Sequence, residues 1–251
     1  METREFHTPD GVCLRYDWLP GPGRTTILVH GFLSSARLNW QDYGTAALLS
    51  AAGLTLAMPD LRGHGRSEAP QEADRYPPDV LARDLLALVA HLRQAPGSFD
   101  IAGYSLGART VVRALTLGLR PRRVVLAGMG LTGIVDGWAR SRWFQQALID
   151  GPTARPGAPE RLVARFQQMT GTDAVAAGHA IGSHVDTPLE ALADIAAPTL
   201  VLAGRDDHDT GSIEALAAAL PDAQALRIPG DHMNVISKPE FGRAIRDFLI
   251  A

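Results

Sequence analysis

A single cysteine, Cys13, stands in the 251 residues, so the chain can form no internal disulfide and holds no cysteine-rich zinc site. In VCLRYDW, Val12–Trp18, that thiol reads as a small apolar side chain within a strand and not as a nucleophile. No apolar run approaches the ~20 residues that a membrane span requires. The opening METREFHTPDG is charged and turn-forming where a secretory signal would be apolar. These absences lead to the expectation of a cytoplasmic protein with no membrane partner. Charge of one sign is lacking too: 24 basic against 27 acidic side chains give a net charge of -3, which offers no electrostatic footprint for a phosphate backbone. Nucleic acid is therefore not expected as a partner. No internal repeat or low-complexity tract is present, and 46% hydrophobic with 20% charged residues is ordinary globular usage.

Arg4–Thr8 and Val12–Trp18 flank Pro9-Asp10-Gly11, the pattern of an opening β-hairpin. Continuous apolar runs then recur at Thr26–Val29, Leu54–Met58, Ile101–Ala102, Val124–Ala127, Thr199–Ala203 and Ala225–Ile228, most of them separated by helical-looking segments. Unbroken apolar strands imply burial on both faces, and that combination belongs to a mostly parallel α/β sheet covered by helices. Before the central strand, Asp79 is placed as a helix N-cap, apolar residues at 81, 85, 88, 89 and 92 give the stripe, and the helix is expected to stop near Pro96-Gly97. Strand alternation lapses over 131–187. Trp138, Trp143, Phe144 and Leu148, then Leu162, Phe166 and Met169, predict amphipathic helices broken at Gly151–Pro159. The expected organisation is a core of 1–130 and 188–251 with a helical lid inserted at 131–187.

Gly103-Tyr104-Ser105-Leu106-Gly107 fits G-x-S-x-G between the apolar run FDIA and a helical run, the context in which that pattern carries chemistry. A nucleophile at such a strand-to-helix corner sits in a strained conformation, and the chain passes so closely that small residues are needed two positions either side. A serine hydroxyl also needs a base, and the base needs a carboxylate to orient it. TLVLAGRDD ends a strand in two acids, Asp206 and Asp207, and His232 follows a later strand in Pro229-Gly230-Asp231-His232-Met233. Both sites lie at C-terminal strand ends, where open α/β sheets place ligands.

With His30-Gly31-Phe32, the run Asp60 to Ser67 (DLRGHGRS), the Ser105 elbow, Gly204-Arg205-Asp206-Asp207 and Gly230-Asp231-His232, the chain resembles the α/β-hydrolase superfamily over nearly its whole length outside the lid. The resemblance implies the α/β-hydrolase fold and a Ser105–His232–Asp207 triad, since the acid of that family commonly stands three residues after the glycine ending its strand. Asp206, Asp209 and Asp136 stay open as alternatives, Asp136 also as a helix N-cap. The resemblance further implies that the N–H groups of Phe32 and Leu106 form an oxyanion hole. His30 and His64 fall in its loop motifs, with structural roles, because His232 already fills the position of the base.

One departure is Ala108, where many relatives carry a second glycine, followed by Arg109. The run Gly-Tyr-Ser-Leu-Gly-x-Arg is locally similar to the menaquinone-pathway lyase branch, so Arg109 is a candidate to bind a substrate carboxylate or to pair with an acid. Tyr104 and Trp143 are further candidates for substrate contact. His179 and His184 lie in a glycine-containing stretch without cysteine, so neither a metal nor any other cofactor is expected. The leading expectation is hydrolysis of a small-molecule carboxylic ester through an acyl-enzyme. Lyase or carbon–carbon bond cleavage, lactone or thioester hydrolysis, and a ligand-binding protein without turnover are the alternatives. A serine nucleophile argues against the epoxide-hydrolase and haloalkane-dehalogenase branches, whose usual nucleophile is aspartate. The oligomeric state is left open.

Overall fold

The first turn closes on itself: the N–H of Gly11 donates to the Thr8 carbonyl at 2.8 Å, and the Thr8 N–H donates to the Val12 carbonyl at 3.0 Å. In this computed structural model, which describes residues 1–251, the turn joins β1 (Glu2–His7) to β2 (Cys13–Leu19) in an antiparallel pair running from Glu2↔Trp18 to His7↔Cys13. Next come β3 (Thr25–Val29), α1 (Thr45–Ala51), β4 (Thr55–Pro59), α2 (Val80–His91), β5 (Asp100–Tyr104), α3 (Leu106–Thr116) and β6 (Arg123–Ala127). Four helices follow without an intervening strand: α4 (Leu131–Val135), α5 (Trp138–Asp150), α6 (Pro159–Thr170) and α7 (Ala174–Gly182). The sheet is completed by β7 (Thr199–Gly204), α8 (Ile213–Ala218), β8 (Ala223–Ile228) and the C-terminal α9 (Pro239–Ile250). The eight strands lie in the order β1-β2-β4-β3-β5-β6-β7-β8, parallel from β4 onwards. This is the α/β-hydrolase fold. No helix is long and apolar enough to cross a membrane.

Period-two alternation sends neighbouring residues of each inner strand into different layers. Ile27 and Val29 join the layer beneath α2, α3 and α8, whereas Leu28 joins the layer formed with Trp40, α1 and α9. All three are fully buried, each worth about 1.5–3 kcal/mol by removal from water. In α9, Pro239 starts the helix at a position whose N–H would have no intrahelical partner, and Phe241, Ile245 and Leu249, four apart, all face inward. The helices between β6 and β7 hold a smaller core of their own, in which Ala147, Leu148, Val163 and Ala177 close on Leu33.

Four local expectations are corrected. Asp79 occupies the N-cap position of α2, but its φ of +64° turns the carboxylate away from the helix, and both oxygens accept from Arg113 at 2.8 and 2.6 Å. The same helix ends at His91 with Leu92 as its C-cap, short of Pro96-Gly97, because Arg93 adopts φ +52°. Ala225–Ile228 is not buried on both faces, since β8 is the edge strand and Leu226 is 41% exposed. In α5, Leu148 is buried and Phe144 half-buried, whereas Trp138 stays exposed; in α6, Leu162 and Met169 are also exposed, on the side that borders the cavity above Ser105.

Candidate active site

Ser105 lies between the last residue of β5 and the first of α3 with φ +52° and ψ −114°, a strained conformation for a side-chain-bearing residue. The corner is enforced by its neighbours. A Cβ on Gly103 would lie 2.4 Å from the Gly107 carbonyl oxygen, and a Cβ on Gly107 would lie 2.2 Å from that of Val29. No side chain fits at either position, and the hydroxyl is thereby lifted above the C-terminal edge of the sheet.

The loops after β7 and β8 approach just as closely. A Cβ on Gly204 would stand 2.0 Å from the Gly230 carbonyl oxygen, and the Asp206 N–H donates to that same oxygen at 3.0 Å. This stitching brings His232 to Asp207: the imidazole Nδ1 lies 2.9 Å from Oδ2 of Asp207, and Nε2 lies 3.0 Å from Oγ of Ser105. Asp207 is buried and its second oxygen accepts the Asp209 N–H at 3.2 Å. Burial alone would raise the Asp207 carboxyl, but the hydrogen bond and charge of His232, with the Asp209 N–H, outweigh it and hold the group below its ordinary value.

The other acids lie elsewhere. Asp206 is exposed and contacts the β8 loop through its backbone. Asp209 is exposed and pairs with Arg140 at 3.4 Å. Asp136 is exposed at the C-terminal end of α4 and caps nothing; instead, Asp186 accepts the N–H groups of Gly137 and Trp138, at 2.9 and 3.3 Å, at the start of α5. Asp207, Asp209 and His232 offer three possible ligand atoms within 4.8 Å, and Oδ2 of Asp207 and Nδ1 of His232 are engaged with one another.

Phe32 sits in a tight loop whose next residue, Leu33, has φ +53°, and the Phe32 N–H has no acceptor within the chain. Leu106 is the first residue of α3, where N–H groups lack intrahelical partners. The loop bearing Phe32 is framed by buried groups. His30 is fully buried, with Nδ1 2.7 Å from the Gly31 carbonyl and Nε2 accepting the Leu61 N–H at 2.9 Å, which fixes the tautomer with the proton on Nδ1. Asn39, on a π-helical turn at Arg37–Gln41, accepts the Gly31 N–H at 3.0 Å. His64 lies behind Phe32, ring centroids 5.8 Å apart. Nothing in the sequence pattern singles out Asn39 or Asp186, because each acts through a main-chain N–H, 8 and 49 positions away, that side-chain periodicity does not mark.

Above Ser105 and His232 opens a cavity of about 650 Å³, walled by Phe32, Met129, Phe144, Phe166 and Met233 with Trp143 half-exposed at its side. Arg109 borders it, but only 4% of the residue is exposed. Its Nη1 donates to Ser141 of α5 at 3.0 Å and its Nη2 faces Asp186 at 3.5 Å, so these two donors already join α3 to the inserted helices. Burial lowers its guanidinium to about 10 against the opposing charge of Asp186. Tyr104 also borders the cavity, yet its hydroxyl donates to the main-chain carbonyl of His232. His184 is buried near Arg109 and Arg113, and burial and these charges keep it neutral; His179 packs near the Tyr76 ring.

A model of the alpha/beta hydrolase family matches residues 26–241. An epoxide hydrolase from Caballeronia sordidicola is 33% identical over 88 residues, 35% of this chain and 25% of that protein, so the match spans a quarter of that relative's length. Solved structures cover nearly the whole chain. A hydrolase from Pseudomonas aeruginosa PA01 aligns with TM-score 0.80 and 24% identity, covering 100% of this chain and 99% of that one. An esterase from Exiguobacterium antarcticum aligns with TM-score 0.78 and 17% identity, over 98% and 99% of the two chains. A bromoperoxidase from Bacillus anthracis gives TM-score 0.74 and 22% identity over 100% of both. At these identities the structural likenesses establish the fold alone.

Proposed function

The chain belongs to the alpha/beta hydrolase family, and from that premise we propose that it hydrolyses a carboxylic ester of a small, largely apolar molecule. One observation carries this reading: the continuous hydrogen-bonded relay from Ser105 through His232 to Asp207, at 3.0 and 2.9 Å, which opens into an apolar cavity beside the N–H groups of Phe32 and Leu106. His232 takes the Ser105 proton as Oγ attacks the acyl carbon, and Asp207 holds the imidazole in the tautomer that leaves Nε2 free to accept. The carbonyl oxygen, now negative, receives hydrogen bonds from Phe32 and Leu106. His232 returns the proton to the departing alcohol, leaving the acyl group on Ser105. Water, deprotonated by the same imidazole, then releases the acid. The relay needs no cofactor. The inserted helices α4 to α7 serve as a lid whose inner wall, with Phe144 and Phe166, receives the apolar part of the substrate.

Lactones and thioesters present the same electrophilic carbonyl to the same serine, so the test spans all three classes. The protein is treated with a serine-directed fluorophosphonate, and wild-type and Ser105→Ala proteins are assayed on p-nitrophenyl esters, lactones, thioesters and carboxylated dienes. The expected result is an adduct on Ser105 and ester turnover that Ser105→Ala abolishes while the circular dichroism spectrum stays the same. No adduct on folded protein would leave a ligand-binding role; turnover of dienes without esters would establish the lyase alternative.

A further inference from the structure

Within G-x-S-x-G the residue before serine is unspecified, yet here it reaches across to the base. We propose that Tyr104 is a positioning residue that holds the main chain of His232 in place over Ser105; the proposal rests on the reading of Ser105 and His232 given above. The Tyr104 hydroxyl donates to the His232 carbonyl, and this is the one hydrogen bond that the main chain of His232 makes.

The loop that carries His232 is otherwise held mainly by itself. Gly230 turns with φ +116°, and the Asp231 carboxylate accepts from the N–H groups of Met233 and Asn234 and from the Asn234 side chain. These bonds shape the loop without fixing it to the sheet. Met233, the next residue, is 63% exposed. The Asp206–Gly230 backbone bond lies two residues before His232 and ties the loop to the acid's strand, not to the nucleophile's.

Tyr104, in contrast, is rigidly placed. It is the last residue of β5, 6% exposed, with its ring edge-on to Phe241 of α9 at 5.9 Å and 5.6 Å from the His232 ring. Gly128, just after β6, takes φ +61° and leaves room for the ring, since a Cβ there would approach it to 2.7 Å. The ring position is thus set by β5, the end of β6 and α9. Because Ser105 is the next residue in the chain, nucleophile and base are both referenced to one strand end, and the distance between Oγ and Nε2 does not depend on the exposed loop alone. Rate is steeply sensitive to that distance.

The test is Tyr104→Phe, which keeps the ring and deletes the hydroxyl. Active-site titration with the fluorophosphonate corrects for any unfolded fraction, and kcat and KM are measured on the best p-nitrophenyl ester. The expected result is a kcat lowered roughly tenfold, the scale of one lost hydrogen bond, with KM unchanged. The proton shared by His232 and Asp207 should also broaden or shift in its downfield NMR resonance, a signature that a purely packing role would not move. Wild-type kcat and an unaltered resonance in Tyr104→Phe would overturn the proposal, as would a rise in KM at constant kcat, which would make Tyr104 a substrate contact. Ser105→Ala separates the two levels. If it abolishes turnover while Tyr104→Phe does nothing, the positioning role fails and the triad stands; if it retains turnover, the reading of the site fails first.

Discussion

His64→Phe should flatten the dependence of stability on pH. His64 is 1% exposed, its Nδ1 lies 3.1 Å from the Arg62 carbonyl, and its Nε2 has no partner. Burial, with the charge of nearby His30 adding to it, pushes the imidazole down to about 3, whereas an unfolded histidine takes up its proton near 6.5. As the pH falls, the unfolded chain therefore binds a proton that the folded protein refuses. The contribution of His64 to stability is full above about 6.5 and is lost as the pH drops towards 3. At about 1.4 kcal/mol per pH unit below the unfolded value, the loss between pH 7 and pH 5 comes to about 2 kcal/mol. Phenylalanine fills a similar volume and cannot titrate. Its loss of the Nδ1 hydrogen bond shifts stability at both pH values alike and cancels in the difference. Urea unfolding of both proteins at pH 7 and pH 5 reads the effect: the variant should lose about 2 kcal/mol less than wild type between the two conditions. It should still lose some, because His30 is also driven down by burial. Equal losses in the two proteins would refute the argument and mean that His64 takes up a proton without unfolding.

Asp207→Asn should lower kcat by roughly 10³–10⁴-fold, since an amide can hold the imidazole in the wrong tautomer and cannot stabilise its charge, while Asp206→Asn leaves kcat near wild type. Steady-state kinetics decide it, and the reverse ranking would move the acid. Gly107→Ala should cost roughly 3 kcal/mol or more, because the added methyl meets the Val29 carbonyl oxygen at 2.2 Å, and thermal unfolding should drop accordingly. An unchanged Tm would mean that the elbow has slack. Arg109→Met should lower stability by about 1–3 kcal/mol through the unpaired Ser141 and Asp186, and should reduce kcat/KM for a carboxylate-bearing ester no more than for its neutral analogue. A selective loss on the carboxylate would make Arg109 a substrate anchor.

Much of this arrangement follows from local pattern. Ser105 was legible because the elbow tolerates only glycine at 103 and 107, a demand that nearby backbone imposes and that leaves a mark in the sequence. The inner strands were legible because burial on both faces requires unbroken apolar runs. Choosing Asp207 over Asp206 needed the superfamily likeness as well, because adjacent residues at a strand end point in different directions and composition does not say which meets His232. Where local pattern misleads, a distant partner is responsible. Asp79 has the residue type and position of an N-cap, but Arg113, 34 positions away, claims its carboxylate. Arg109 carries a charge one turn beyond Ser105, and only the packing of α5 and the return of the chain at Asp186 reveal where its donors go. Tyr104 meets the carbonyl of a residue 128 positions on. Sequence thus determined the elements and the candidate site residues, because backbone sterics and burial act over a few residues. Tertiary structure decided the partners, because the pairing of a polar side chain depends on which loops the closed sheet brings within about 3 Å.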